Sequence, residues 1–463
     1  MNNCDLKPLP LGTSDFAALR SDGQIYVDKT ALIYEIASKR QKFFLSRPRR
    51  FGKSLLISTF ESLFKYGLRD FKGLAIEKLW KDAGTYQVVR LDFSGIKSFV
   101  SVEDFSVKLT SLLAGSFMPL GFSYEENTAV NLMDQLSNWL KTLSPNSLVL
   151  LIDEYDAPLT GCLSKPQLFE DARKELSEFY ARIKSNDGAV RFFFMTGITK
   201  FNKTSIFSEL NNFSDLTLDV DYGTLLGYTH NEVEQYFGAY LDRASELLNK
   251  PRKELLSELT NHYDGFCFER SATQHVFSPW SLLKFLSSPR NGLIDYWFES
   301  GGRPSALLEY LKSHSLRTPE EYGREKSLAL STLTASSDSK AISDLALLTQ
   351  AGYLTLKRIS GSTAYVGYPN KEVRTAMAQL YTEQLLAGLT IEQAGGENIP
   401  LILATENAQS VFHLLNRLFA SIDYRGYPAK DESSVRAFVQ ILFTGAGLKP
   451  RVEVHNHKGR SDL

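Results

Sequence analysis

Lysine, serine and paired carboxylates can together hold a polyphosphate and a divalent cation, and this chain carries them in two short segments. The first is Arg47-Pro-Arg-Arg-Phe-Gly-Lys-Ser54, placed directly after the apolar run Phe43-Phe44-Leu45. A phosphate-binding loop needs a glycine, because backbone N–H groups must close around phosphate oxygens with no Cβ in the way. It needs a lysine for the terminal phosphates and a hydroxyl for Mg²⁺. Gly52, Lys53 and Ser54 supply these in the right order, and Arg49, Arg50, Phe51 and Leu55 complete the expected wrapping of ATP. The helix-forming run Ser54–Phe64 would aim the positive end of its dipole at the nucleotide. One position departs from the general pattern: Arg47 stands where a first glycine is usual.

The second segment is Leu148-Val-Leu-Leu-Ile-Asp153-Glu154-Tyr-Asp156. A continuous apolar run suits a central parallel strand buried on both faces. Acids at its C-terminal end would face the crevice where ligands of open α/β sheets bind. Asp153 is expected to hold Mg²⁺ with Ser54, and Glu154 to orient and polarise the attacking water, with Lys53 as the catalytic cation. The plainer alternative is that these acids only stop the strand and cap the next segment. Two motifs in one chain, the first between a predicted strand and a predicted helix, favour the chemical reading.

The elements that must position these groups alternate. Predicted strands Lys42–Ser46, Val88–Phe93, Leu148–Ile152 and Val190–Thr196 are interleaved with helical runs Ser54–Phe64, Phe105–Leu113, Val130–Leu143 and Gln167–Lys184. This order implies an α/β fold with a parallel sheet, in the AAA-like arrangement that sets the loop strand apart from the acidic strand. Asp92 would sit at a strand end, near the site or merely in solvent. Thr196, Thr199 and Lys200 follow the last of these strands, where a polar side chain can bond the γ-phosphate or the attacking water; each is equally readable as a turn residue. Phe16 and Tyr26 are open to adenine stacking or to core packing.

With 463 residues, two to four domains are expected, and a formal net charge of −1 announces no nucleic-acid partner. Basic residues do cluster at Lys39, Arg40, Lys42, Arg47, Arg49, Arg50 and Lys53, which triphosphate binding explains economically. Cys4, Cys162 and Cys267 are few and scattered, giving neither a disulfide framework nor a zinc site and fitting a reducing cytoplasm. No apolar stretch is long enough to span a bilayer, and the start Met-Asn-Asn-Cys-Asp lacks the layout of a secretion signal.

Downstream, Thr229 with Glu232 three residues on reads as a capping box opening a helical region. The aromatic groups around Tyr263, Trp280 and Tyr296 read as helix-packing core. A helix ending near Gln350, a hairpin turning at Gly361 and a helix from Lys371 suggest a winged-helix-like module. The expected divisions are an ATPase domain over 1–225, a helical lid over 226–320, the winged-helix-like module over 321–390 and a last unit over 391–463.

On these landmarks the chain resembles a prokaryotic family of AAA-ATPase-like proteins that join a P-loop domain to a C-terminal PD-(D/E)XK nuclease-like domain. The matching segments are Tyr26–Thr30, Arg47–Ser54, Leu151–Asp156, Thr196–Phe201, Gly352–Thr355 and Tyr368–Arg374. Arginine at position 47 belongs to that family's own loop, so it departs only from the general pattern. The resemblance implies ATP and Mg²⁺ bound through Lys53, Ser54 and Asp153, with Glu154 catalytic. Of the nuclease pattern, Glu432 and Asp462 have counterparts, but no (E/Q)-x-K follows before Leu463, so no complete nuclease site is expected. His455 and His457 read as a solvated pair rather than metal ligands. The expected activity is ATP hydrolysis, with a nucleotide-dependent switch or pseudo-ATPase as the alternative. DNA, a protein partner and self-association stay open, as does Arg303 as an arginine finger.

Overall fold

The computed structural model describes residues 6–126, 130–200, 213–299, 307, 310, 319–334, 343–386, 393, 399–422, 431–446, 448, 454–456 and 459–461. Cys4, Arg303, His457 and Asp462 lie outside them.

Five parallel strands form the central sheet: β1 (Lys42–Ser46), β2 (Gln87–Asp92), β3 (Leu148–Asp153), β4 (Val190–Gly197) and β5 (Phe213–Asp215), in the order β2-β3-β4-β1-β5. Every residue of β1 and β3 is buried, which is why both read as unbroken apolar runs. The loop strand and the acidic strand are separated as expected, but the strand between them is β4, and β2 is the edge. Register sets Leu45 beside Thr196 and Ile152 beside Met195, so the carboxyl ends of β1, β4 and β3 open on one edge of the sheet. That edge is where the loop, the acids and the post-β4 turn must meet. The helix Lys53–Tyr66 lies on the sheet through Phe60 and Phe64, whose rings sit 4.8–5.1 Å from those of Phe192 and Phe194. Burying each such ring is worth about 1.5–3 kcal/mol.

β5 was not legible as a strand: three half-buried residues, Phe-Ser-Asp, give no periodic signal. Asp92, for its part, is in register with Asp153 on the neighbouring strand, but it is exposed and accepts from the Ser94 amide, capping a 3₁₀ turn.

Beyond the sheet, helices His230–Leu248, Arg252–Tyr263 and Pro279–Ser287 share a core into which Ile25 and Val27 of the N-terminal segment insert. Both halves of the Thr229/Glu232 capping box are made. Glu232 also takes the ammonium of Lys29 at 2.5 Å, tying the segment ahead of β1 to this helical unit.

A three-stranded antiparallel sheet comes next, of β6 (Lys326–Ala329), β7 (Thr355–Ser360) and β8 (Thr363–Gly367) in the order β6-β8-β7. Gly361 turns the hairpin at φ +58°, and helices Asp344–Gln350 and Lys371–Leu385 flank it. It packs against the phosphate loop: a Cβ on Gly352 (φ +85°) would stand 2.9 Å from Pro48 and 2.8 Å from Trp297. Helix Glu432–Gly445 sends Phe438 and Ile441 into the same core, and two short strands, β9 (Val454–Asn456) and β10 (Gly459–Ser461), pair antiparallel after it. His455 lies on β9. No helix among the described residues is long and apolar enough to cross a membrane.

Candidate functional site

Between β1 and its helix the chain turns through two left-handed residues, Arg50 at φ +64° and Gly52 at φ +96°. Gly52 is the N-cap, and its carbonyl takes the first helical bond from Leu56 at 2.9 Å. Only glycine adopts such a φ without strain, and this turn is what leaves the first amides of the helix free to face an anion.

Arg47 does not belong to the anion cradle. Its side chain is 1% exposed and turns inward, donating to the carbonyls of Ser46 and Thr217 at 2.8 Å and of Tyr222 at 3.2 Å. The guanidinium lies 4.5 Å from the ring centroid of Phe268. Burial pulls its pKa down to about 9, with Asp215 pulling the other way. It therefore remains a cation at neutral pH and fastens the loop to the segment after β5. The rest of the basic cluster is divided too: Lys42 pairs with Asp187, and Lys39 lies against Tyr222.

Lys53 is buried and donates to the carbonyls of Arg47 (3.0 Å) and Pro48 (2.9 Å). Burial lowers its pKa, opposed by Asp153, Glu154 and Asp156. Those acids stand at the end of β3. Asp153 (2% exposed) accepts on one oxygen from the Thr196 hydroxyl at 2.8 Å and from the Glu154 amide at 3.1 Å. Glu154 holds φ +49°, a strained conformation for a residue with a Cβ and one that clusters at functional sites.

Asp156, which the sequence left without a role, is a brace. Its buried carboxylate accepts the amides of Ile198 (3.2 Å) and Thr199 (2.7 Å), fixing the turn after β4. Desolvation pushes its pKa up to about 6. The Tyr155 hydroxyl donates to the Thr199 carbonyl at 2.9 Å, so the turn is held twice.

The loop and Glu154 line a cavity of about 500 Å³, within the range of small-molecule sites, whereas Asp153 and Asp156 are not among its lining residues. Arg49, Arg50, Phe51, Gly52, Lys53, Ser54, Leu55 and Glu154 all line it. Tyr26, Ile33, Leu226, Tyr228, Trp280 and Leu283 give it an apolar wall drawn from the N-terminal segment and the helical unit. Phe16 is core, edge-on to Tyr26 at 5.1 Å, which leaves Tyr26 alone of the two at the cavity. The three positions after β4 do not line it. Thr196 is bonded to Asp153, Thr199 is buried with its backbone held by Asp156 and Tyr155, and Lys200 is paired with Asp215.

Trp280 packs against the core of the helical unit as expected, and it has a second place that the sequence did not signal: it lines the cavity and carries the Arg50 guanidinium 4.4 Å from its ring centroid. Nothing local signals this, because Arg50 and Trp280 are joined only by the tertiary fold.

No group of three or more His, Cys, Asp or Glu able to hold a metal occurs among the described residues. Mg²⁺ bound with a nucleotide asks for less: a hydroxyl, one or two carboxylates and phosphate oxygens. Ser54 at the cavity and the second oxygen of Asp153, which makes no hydrogen bond among the described residues, fit that donor set.

Comparison with known proteins agrees. The profile of a family described as predicted AAA-ATPase matches residues 10–207. An uncharacterized protein in the vnfD 5′ region of Azotobacter chroococcum mcd 1 is 32% identical over 469 aligned residues, covering 99% of this chain and 86% of that one. Two solved structures are looser likenesses: a Walker-type ATPase of Pyrococcus abyssi (14% identity, TM-score 0.37, 81% of this chain and 99% of that one) and Cdc6p from Pyrobaculum aerophilum (12%, 0.27, 74% and 87%). At those scores neither bears on function. The loop, the acidic strand and the full-length relative place this chain in the AAA-ATPase-like family.

Proposed function

We propose that this protein binds ATP with Mg²⁺ in the cavity at the carboxyl end of the sheet and hydrolyses it to ADP and phosphate. The supporting observation is convergence: the Gly52–Ser54 turn and Glu154, far apart in sequence, line one nucleotide-sized space. The amides after Gly52 and the Lys53 ammonium take the phosphates, and Lys53 gives up its two loop carbonyls for phosphate oxygens. Mg²⁺, held by Ser54 and Asp153, would neutralise charge on the phosphates. Glu154 accepts a proton from water as the water oxygen bonds to the γ-phosphorus. The bond to the bridging oxygen breaks, and its electron pair stays on ADP. Thr196 acts through Asp153, holding that carboxylate in place, and is a positioning residue rather than a catalytic one. The apolar wall takes the nucleoside, with the helical unit as its lid and the β6–β8 unit as a winged-helix-like docking element.

Lys53→Ala should abolish stabilisation of the protein by ATP in a thermal-shift titration; an unchanged shift would overturn the site. Glu154→Gln should hold ATP and release no phosphate, and wild-type release would remove Glu154 from the chemistry. A second reading, a nucleotide-dependent switch without turnover, draws on neither Thr196 nor Thr199 lining the cavity. Phosphate release by the wild-type protein separates the two.

A further inference from the structure

The loop holds three arginines, and the structure gives each a different environment. Arg47 is an internal fastener, bonded to three carbonyls and stacked on Phe268. Arg50 lies over Trp280. Arg49 has neither arrangement. It is half-buried and lines the cavity with Lys53, Ser54 and Glu154, and its Nε is buried with no hydrogen-bond partner. Its charge also pushes against the Lys53 ammonium. The Nε of Arg47 is likewise without a partner, so what singles Arg49 out is its place at the cavity beside Lys53: two neighbouring cations are unfavourable in an empty site and are eased when a polyanion enters.

From this we infer that Arg49 stabilises the transferring phosphoryl group from within the phosphate loop, the part that many phosphoryl-transfer enzymes obtain from a separate arginine finger. The inference rests on the nucleotide reading of the cavity. As the water oxygen bonds to the γ-phosphorus and the bridging oxygen leaves with its electron pair, negative charge grows on the bridging and β-phosphate oxygens. The Arg49 guanidinium donates hydrogen bonds to them and exchanges no proton. Its planar fork suits two oxygens at once, which a lysine cannot match. Glu154 lines the same cavity and serves the attacking water, so the two side chains act on opposite ends of one displacement.

The test uses the full chain, wild type beside Arg49→Ala and Arg49→Lys. Phosphate release gives kcat and KM, and calorimetry gives affinity for ADP and for ADP with aluminium fluoride, a mimic of the transferring group. Arg49→Ala should lower kcat about 10³-fold, the low end of the effect of an arginine finger. ADP affinity should change by less than about tenfold, and the fluoride should no longer tighten ADP binding. Arg49→Lys should recover only part of the loss. A kcat for Arg49→Ala within about threefold of wild type would overturn the inference. So would an equal weakening of ADP and its fluoride complex, which marks ground-state binding alone. Wild-type protein that binds no ATP would instead refute the nucleotide reading, a result visible before any variant is made.

Discussion

Replacing Arg47 by glycine would restore the general phosphate-loop pattern, and the structure says it should damage the protein. Of the segment after β5, the Thr217 carbonyl would lose its donor inside the fold, and the Tyr222 carbonyl would keep only the Leu225 amide at 3.2 Å. Each buried carbonyl left unpaired costs about 1–3 kcal/mol. The vacated volume beside Phe268 adds roughly 24 cal/mol per Å³ of residual cavity. Against this stands relief from burying a cation, whose penalty shows in the pull of its pKa to about 9. Losing a buried donor and opening a cavity together ordinarily net a loss of about 3 kcal/mol. Spread over a domain of this size, that is a fall of roughly 10 °C in the unfolding transition that includes the loop. Arg47→Met keeps the bulk and the contact with Phe268, so it should recover the cavity part and leave the Thr217 carbonyl unpaired. Differential scanning calorimetry without nucleotide, at equal protein concentration, compares the three. An Arg47→Gly midpoint at or above wild type would refute the assignment of Arg47 as an internal fastener, and tighter ATP binding by that variant would deepen the refutation.

Three further outcomes are expected. Gly352→Ala should cost about 1–3 kcal/mol, because φ +85° disfavours a Cβ that would also meet Pro48 and Trp297 below 3 Å; it should weaken ATP binding as well, since Pro48 belongs to the loop. Trp280 emission should shift when ATP is added to wild type and shift less in Arg50→Ala, if the guanidinium leaves the ring for phosphate; an identical response would detach Arg50 from the nucleotide. Glu372 is buried where it accepts from the Ser281 hydroxyl and the Tyr296 amide, and desolvation, reinforced by Asp295, pushes its pKa up to about 8. A raised folded-state pKa contributes stability that is complete below the unfolded value, near 4.5, and is lost as pH rises through about 8. Glu372→Gln, the isostere of the protonated acid, should therefore flatten the fall in melting temperature between about pH 5 and 8, and an unchanged slope would assign that fall elsewhere.

Short-range signals carried most of the scaffold. Strands β1 and β3 were legible because burial on both faces writes a continuous apolar run, and the Thr229 box because its two partners are three residues apart. That Gly52, Lys53, Ser54 and Glu154 line one cavity was foreshadowed for a similar reason: the loop pattern has fixed residue types at fixed spacing, and the acids mark the end of an apolar strand. β5 and β6 were not, since strands of three and four residues with mixed burial carry too little period to detect.

What the chain alone determined, then, is which groups can meet a phosphate and that an alternating α/β scaffold presents them. The fold decided how like residues divide their work. Arg47, Arg49 and Arg50 are near neighbours in sequence, yet one faces carbonyls in the interior, one faces the cavity and one faces an indole 230 positions downstream. Thr196 and Asp156 likewise acquired their roles from partners on other strands and turns. The physical reason is that a side chain's chemistry is local, whereas its hydrogen-bond partners, its solvent and its neighbouring charges are supplied by segments that only packing brings near.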